Sequence, residues 1–114
     1  MKVTPDRYVT YRYAGASLDF NPIHLDDEFA RSVGLPGKIL HGLWTMAQCA
    51  RAQGDGLKLQ SLSVQFRGMG VPEQEVVVTS RVREVADGVA IVDAEARQGE
   101  VRIVRRGEAE LHLS

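Results

Sequence analysis

The chain has 114 residues, 44% of them hydrophobic and 25% charged, with 14 Lys and Arg against 15 Asp and Glu. That length suits one core, the composition is that of a folded domain rather than a disordered tail, and the near-neutral balance lacks the clustered basic charge that meets nucleic acid. The lone cysteine, Cys49, excludes an intrachain disulfide, the N-terminus MKVTPDRYV lacks a signal-like apolar run, and no stretch approaches the roughly 18 apolar residues of a membrane span.

A single cytoplasmic domain over residues 1–114 is therefore expected, with neither nucleic acid nor membrane as a partner. Thr4, Pro5 and Asp6 have the character of an N-cap, a first-turn proline and a first-turn acid, which predicts a helix from about Pro5 to Ala16. An alternation through Val9, Tyr11 and Tyr13 leaves a strand as the competing reading. In LDFNPIHLDD the Asn before Pro disfavours helix, and Asp26 is placed to cap a short helix, DDEFARSV, closed by Gly34. After a turn at Pro36 and Gly37, HGLWTMAQCARAQG carries Leu43, Trp44, Met46, Ala47, Cys49 and Ala50 on nearly every side, the pattern of a buried helix ending at Gly54.

Everything beyond that helix reads as strand. Leu57 and Leu59 alternate, and Leu62, Val64 and Phe66 continue out of phase, which predicts a bulge near Gln60 and Ser61. Val76 to Val85 and Val89 to Arg97 flank Ala86-Asp87-Gly88, a hairpin signal. A turn at Gln98 and Gly99 leads to a last strand with Val101, Ile103, Ala109, Leu111 and Leu113 on one face and Arg102, Arg106, Glu108, Glu110 and His112 on the other. Helices followed by an antiparallel meander predict an α+β domain whose sheet wraps one long buried helix.

The titratable groups concentrate between Asp19 and Asp27, on a loop fixed by Pro22. A histidine and a carboxylate that reach one water form an acid/base pair, because imidazole titrates near neutral pH and the carboxylate accepts a proton or orients the water. Asp19 and His24 are the candidates, and the chemistry is hydration or dehydration. The competing reading makes His24 a backbone-bonded loop histidine and Asp19 a turn former. Asp26, Asp27 and Glu28 are assigned to capping and to the helix dipole, outside catalysis. A metal site from Asp19, His24 and Asp26 is set aside because no HxxxH or CxxC pairing occurs. Cys49 reads as inert packing, and Lys38, Arg51, Lys58 and Arg67 as solvated charge. At the start of the buried helix, the N–H of Gly42 is open to a substrate carbonyl and lies in the positive field of the helix end. Alternatively, Gly42 only permits tight packing there. His41 caps the helix or packs.

YAGASLDFNPIHLDDEFA followed by ILHGLWTMA, from Tyr13 to Ala47, resembles the motif of the MaoC-like, or (R)-specific enoyl-CoA hydratase, family, approximately YxxxSxDxNPxHxD and then HGxxxxA. VQFRGMGVPEQEV is similar to the strand and turn after the family's central helix, with Glu73 and Gln74 after Pro72 where a Pro-Gly-Asp is usual. The resemblance implies a hotdog fold and reversible addition of water to a trans-2-enoyl thioester, giving the (R)-3-hydroxyacyl product, with no cofactor and no metal. It places Asp19 and His24 on the catalytic pair, Gly42 on the oxyanion donor and Asn21 on the motif's amide, with Gly42 and Asn21 expected at the substrate. The substrate would be an acyl-CoA or an acyl-carrier-protein thioester. Family members usually carry a longer strand before the first helix, so the sheet is expected to lack an edge strand, supplied by a homodimer or by another hotdog subunit in a heterodimer or heterotetramer. The alternatives are one subunit of a heteromeric hydratase acting on a bulky acyl-CoA such as a steroid side chain, an acyl-carrier-protein dehydratase, or a thioester-binding helper. A thioesterase fits less well, because Gly42 to Gln53 offers no Asp or Glu to activate water.

Overall fold

In the computed structural model, which describes residues 1–54 and 58–113, nine elements follow in order. They are β1 (Lys2–Val3), α1 (Val9–Ser17), a 3-10 turn (Pro22–His24), α2 (Asp27–Ser32), α3 (Gly42–Arg51), β2 (Lys58–Phe66), β3 (Val76–Ala86), β4 (Val89–Gln98) and β5 (Val101–His112). The strands form one antiparallel sheet in the order β1-β3-β4-β5-β2. Helix α3 packs against β2, β4 and β5, giving the α+β hotdog arrangement. Central strand β4 alternates strictly, with Ala90, Val92, Ala94, Ala96 and Gln98 buried. Short alanine side chains along this row let the helix approach the sheet closely.

The first helix starts later than its proline predicts. The Pro5 carbonyl accepts from the Glu73 N–H (2.7 Å), so residues 4–8 are drawn toward the β2–β3 loop. Asp6 forms a turn, its Oδ1 accepting from the Tyr8 N–H (2.8 Å), and helix begins at Val9. Helix α2 follows expectation: Asp26 accepts from the N–H groups of Glu28 and Phe29 (2.9 and 3.1 Å). At its other end Gly34, at φ +90°, lets the Leu35 N–H reach the Ala30 carbonyl and its own N–H reach Arg31, a Schellman closure.

Helix α3 departs from the all-round burial its composition predicts. Thr45, Gln48 and Cys49 face inward, whereas Ala47 is exposed and Leu43 is 60% exposed. The apolar residues therefore occupy both an inner face and an outward one. No helix among the described residues is long and apolar enough to cross a membrane.

In β2 the predicted bulge is present, with one extra residue between Leu59 and Ser61 relative to β5; Leu57 lies outside the described residues. The β3–β4 turn is Asp87-Gly88, both at positive φ (55° and 74°), as a two-residue type I′ hairpin requires. Strand β5 breaks its predicted alternation. Between Gly107 and Val104 it advances three residues while β4 advances two, and between Val104 and Arg102 two while β4 advances one. Two bulges result, the first holding Arg106 at φ 51°. Ile103 and Val104 are consequently both buried, and Val101 is exposed rather than inward. The sheet does possess its outer edge strand: Lys2 and Val3 pair with Val77 and Val76, and the Met1 amino group donates to the Val78 carbonyl (2.8 Å). The expected lack of an edge strand is corrected to a two-residue strand.

Candidate active site

The loop between α1 and α2 is shaped by side chains spaced two apart. The Ser17 hydroxyl accepts from the Asp19 N–H (3.3 Å), Asp19 Oδ1 from the Asn21 N–H (3.2 Å), and Asn21 Oδ1 from the Ile23 N–H (3.1 Å). Such short polar side chains satisfy the backbone two residues on, where no regular element can. Pro22 then opens the 3-10 turn that ends at His24. One oxygen of Asp19 is spent on this ladder and the other faces His24. Asn21, expected at the substrate, is placed as the cap of the turn.

His24 is buried, at 7% exposure. Its Nδ1 lies 2.8 Å from the Ile39 carbonyl, and a carbonyl only accepts, so Nδ1 carries the hydrogen. The lone pair is left on Nε2, which lies 3.9 Å from Asp19 Oδ2. That gap is too long for a direct hydrogen bond and suits one water about 2.8 Å from each atom. The Asp19 side chain is 52% exposed, so the pair opens to solvent.

The segment that holds His24 is itself clamped. The Ile39 N–H donates to the Ile23 carbonyl (3.1 Å), and the neighbouring Lys38 N–H to Asp27 Oδ1 (2.8 Å). The Lys38 ammonium donates to the Tyr11 hydroxyl (3.0 Å) and lies 3.7 Å from Asp27 Oδ2. The Lys38 N–H holds the Asp27 carboxyl below its usual range, and the bond to Tyr11 raises the Lys38 ammonium. Asp27 and Glu28 lie in the first turn of α2 as expected, and Asp27 gains a second role in this clamp. One expectation is corrected here: Lys38 is a largely buried clamp rather than solvated charge. The partners of Asp27 and Lys38 lie far along the chain, beyond any local pattern.

Gly42 is the first residue of α3, where an N–H has no acceptor within the helix. A Cβ at this position would come within 3.3 Å of the Phe66 ring and press on it. That contact agrees with the packing reading of Gly42. Phe66 is 46% exposed beside it.

His41 was expected to cap or pack, and it makes no side-chain cap bond. Its ring stacks on His24 with centroids 3.8 Å apart and planes at 19°, touches Tyr13 at 4.8 Å, and places Nε2 3.1 Å from the Asp19 carbonyl oxygen. Asp19, His24 and His41 thus bring three possible ligand atoms within 4.8 Å of one another. Stacked imidazoles direct their in-plane lone pairs side by side, however, and do not converge on one ion. Asp26, weighed as a ligand, is turned to its helix. Cys49 is fully buried, and burial pushes its thiol up to about 11, as packing rather than nucleophilic use requires.

The MaoC like domain family matches residues 1–102. The chain belongs to that family. The MaoC-like chain is 37% identical over 106 residues, 87% of its length, to a fatty acid synthase subunit beta of Aspergillus oryzae, of which it spans 5%. It is 32% identical over 84 residues, 68% of its length, to the enoyl-CoA hydratase ChsH3 of Mycobacterium tuberculosis, of which it spans 28%. Among solved structures, the unliganded R-hydratase PhaJ1 of Pseudomonas aeruginosa superposes with a TM-score of 0.90 at 21% identity, covering 99% of this chain and 77% of that one. The ChsH1-ChsH2 complex of Mycobacterium tuberculosis gives 0.89 at 20%, covering 100% and 92%. At such identities the structural likeness carries the fold alone, and the hotdog fold is common to all of them.

Proposed function

We propose that this MaoC-like domain, taken as one unit over residues 1–114, is a hydro-lyase that adds water reversibly to a trans-2-enoyl thioester and forms the (R)-3-hydroxyacyl product. The observation that carries the reading is the 3.9 Å gap between Asp19 Oδ2 and the lone-pair nitrogen of a backbone-anchored His24. A water held there meets an acceptor on each side. As its oxygen attacks C3, the proton passes to one member of the pair, and C2 takes a proton from the same side of the substrate. Each such transfer is worth about 100- to 10,000-fold in rate. Negative charge moves onto the thioester oxygen, for which the Gly42 N–H is the donor, an effect of order 100- to 1000-fold. His24 Nε2 fits the base because its other nitrogen is already committed as a donor.

Leu18 and Phe20 flank Asp19 in the chain, Leu43 follows Gly42 and Phe66 lies beside Gly42, and all four are exposed apolar side chains. This supports a partner that completes the acyl channel, either a second copy or a different hotdog subunit, and an acyl-CoA or acyl-carrier-protein substrate. The relatives named as fatty acid synthase and enoyl-CoA hydratase support the same reaction class. The test is hydration of crotonyl-CoA and bulkier enoyl-CoA esters, followed as loss of the conjugated enoyl absorbance, with a partner subunit added where the chain needs one. Asp19→Asn and His24→Ala are each expected to lower kcat by at least about 100-fold. Near-full activity in both variants would sink the assignment.

A further inference from the structure

We infer that His41 is a positioning residue that joins the two halves of the acid/base pair and reserves the proton-carrying role for His24. The inference rests on the hydratase reading above and names a residue that the reaction itself does not require.

His41 touches both members of the pair. Its ring lies flat against His24, fixing the plane in which His24 Nε2 can point. Its Nε2 lies 3.1 Å from the Asp19 carbonyl, and since a carbonyl only accepts, that nitrogen carries the hydrogen. One side chain therefore holds the backbone of Asp19 and the imidazole of His24 in register, and the 3.9 Å gap between them is the distance it maintains. The two rings have opposite tautomers, His24 with hydrogen on Nδ1 and His41 with hydrogen on Nε2, each anchored to a backbone carbonyl.

The remaining nitrogen, His41 Nδ1, is buried and has no hydrogen-bond partner among the described residues. Protonation would turn it into a buried donor with no acceptor, one stacking distance from a second imidazole. The groups facing His41 are His24, the Tyr13 ring and Asp19; the hydrogen bond to the Asp19 carbonyl and then the Asp19 carboxylate favour a charge on it, and His24 opposes one. Burial, the largest influence, holds His41 below the usual histidine range. His41 so stays neutral while His24 gains and loses a proton, and its uncharged face supports the imidazolium when it forms.

Two substitutions in the full chain separate the contacts. His41→Phe keeps a flat ring and loses the donor to Asp19; His41→Gln keeps an N–H near the Nε2 position and loses the ring. His41→Phe is expected to lower kcat about 100-fold, the scale of a misplacement near 1 Å, with KM within about twofold because His41 touches no substrate. His41→Gln is expected to recover about tenfold of that loss. Wild-type kcat in both, or a raised KM with kcat unchanged, overturns the inference. Should either variant fail to fold, imidazole nitrogen NMR of the unmodified protein at neutral pH decides: His41 is expected neutral with hydrogen on Nε2. Hydrogen on His41 Nδ1, alone or in a protonated ring, overturns it. Loss of turnover in Asp19→Asn and His24→Ala, with His41 variants unaffected, removes this inference alone. A wild-type chain that hydrates no enoyl thioester removes the hydratase reading, and the NMR result still decides the role of His41 as the link between Asp19 and His24.

Discussion

His41 and Asp27 give the protein two separate acid-sensitive windows. The folded His41 titrates below its ordinary value of 6.5, so between the two values the unfolded chain binds a proton that the folded chain refuses. Stability from this residue is complete above about pH 6.5 and is lost as pH falls toward the folded value. The melting temperature is expected to drop between about pH 7.5 and about pH 5.5, and to drop less in His41→Gln; calorimetry at both pH values checks this, and equal drops would oppose it. Asp27 and Asp6, held below 3.8 by the Lys38 N–H and by Arg12 respectively, lose their contributions only at more acidic pH, as the carboxylates protonate. At this scale Asp19 and His24 were legible because the ladder of Ser17, Asp19 and Asn21 is local: each side chain serves an N–H two residues on. Lys38 was misread, and the further contacts of His41 and Asp27 were hidden, because each finds its decisive partner at least eleven residues away.

Among the elements, β5 shows how a strand can match its pattern in composition and still break it in space. Its two bulges insert two residues relative to β4, which restores the outer alternation at Ala109 and Leu111 after burying both Ile103 and Val104. Gly107 is part of this device. A Cβ there would lie 2.6 Å from the Ala94 carbonyl oxygen, on a central strand bonded from both sides. Gly107→Ala is therefore expected to destabilise the domain by about 1–3 kcal/mol in denaturant titration, as overpacking does. Gly15 provides the contrast: it is exposed within α1 and a Cβ would meet nothing within 4 Å. Gly15→Ala is expected to add about 0.5–1 kcal/mol, by removing chain entropy from the unfolded state. A neutral Gly107→Ala would show that the bulge tolerates a shift of the β4 backbone. The bulge in β2 could be read from its phase change because both registers are apolar there, whereas Arg105 and Arg106 hid the break in β5 behind a continuous parity.

At the scale of the whole molecule, four of the exposed apolar side chains belong to segments next to the candidate site. Leu18 and Phe20 flank Asp19, Leu43 follows Gly42, and Phe66 lies over it. The outer strand β2 adds a nine-residue edge with Lys58 as its one charge, an edge little blunted against pairing. Sedimentation at micromolar concentration is expected to show a dimer or larger assembly, alone or with a second hotdog subunit. A monomer with full turnover would remove that expectation. Amino-acid order by itself determined that helices precede an antiparallel run of strands, the hairpin turn, the cap of α2 and the loop that carries Asp19 and His24, since periodicity, glycine placement and short polar side chains act within a few residues. Tertiary structure decided the rest of the site: that the Ile39 carbonyl selects the tautomer of His24, that His41 stacks beneath it, that Phe66 covers Gly42, and that the outer side of α3 is left apolar and exposed. These depend on segments meeting across long stretches of chain, where packing, and not local preference, chooses the neighbour.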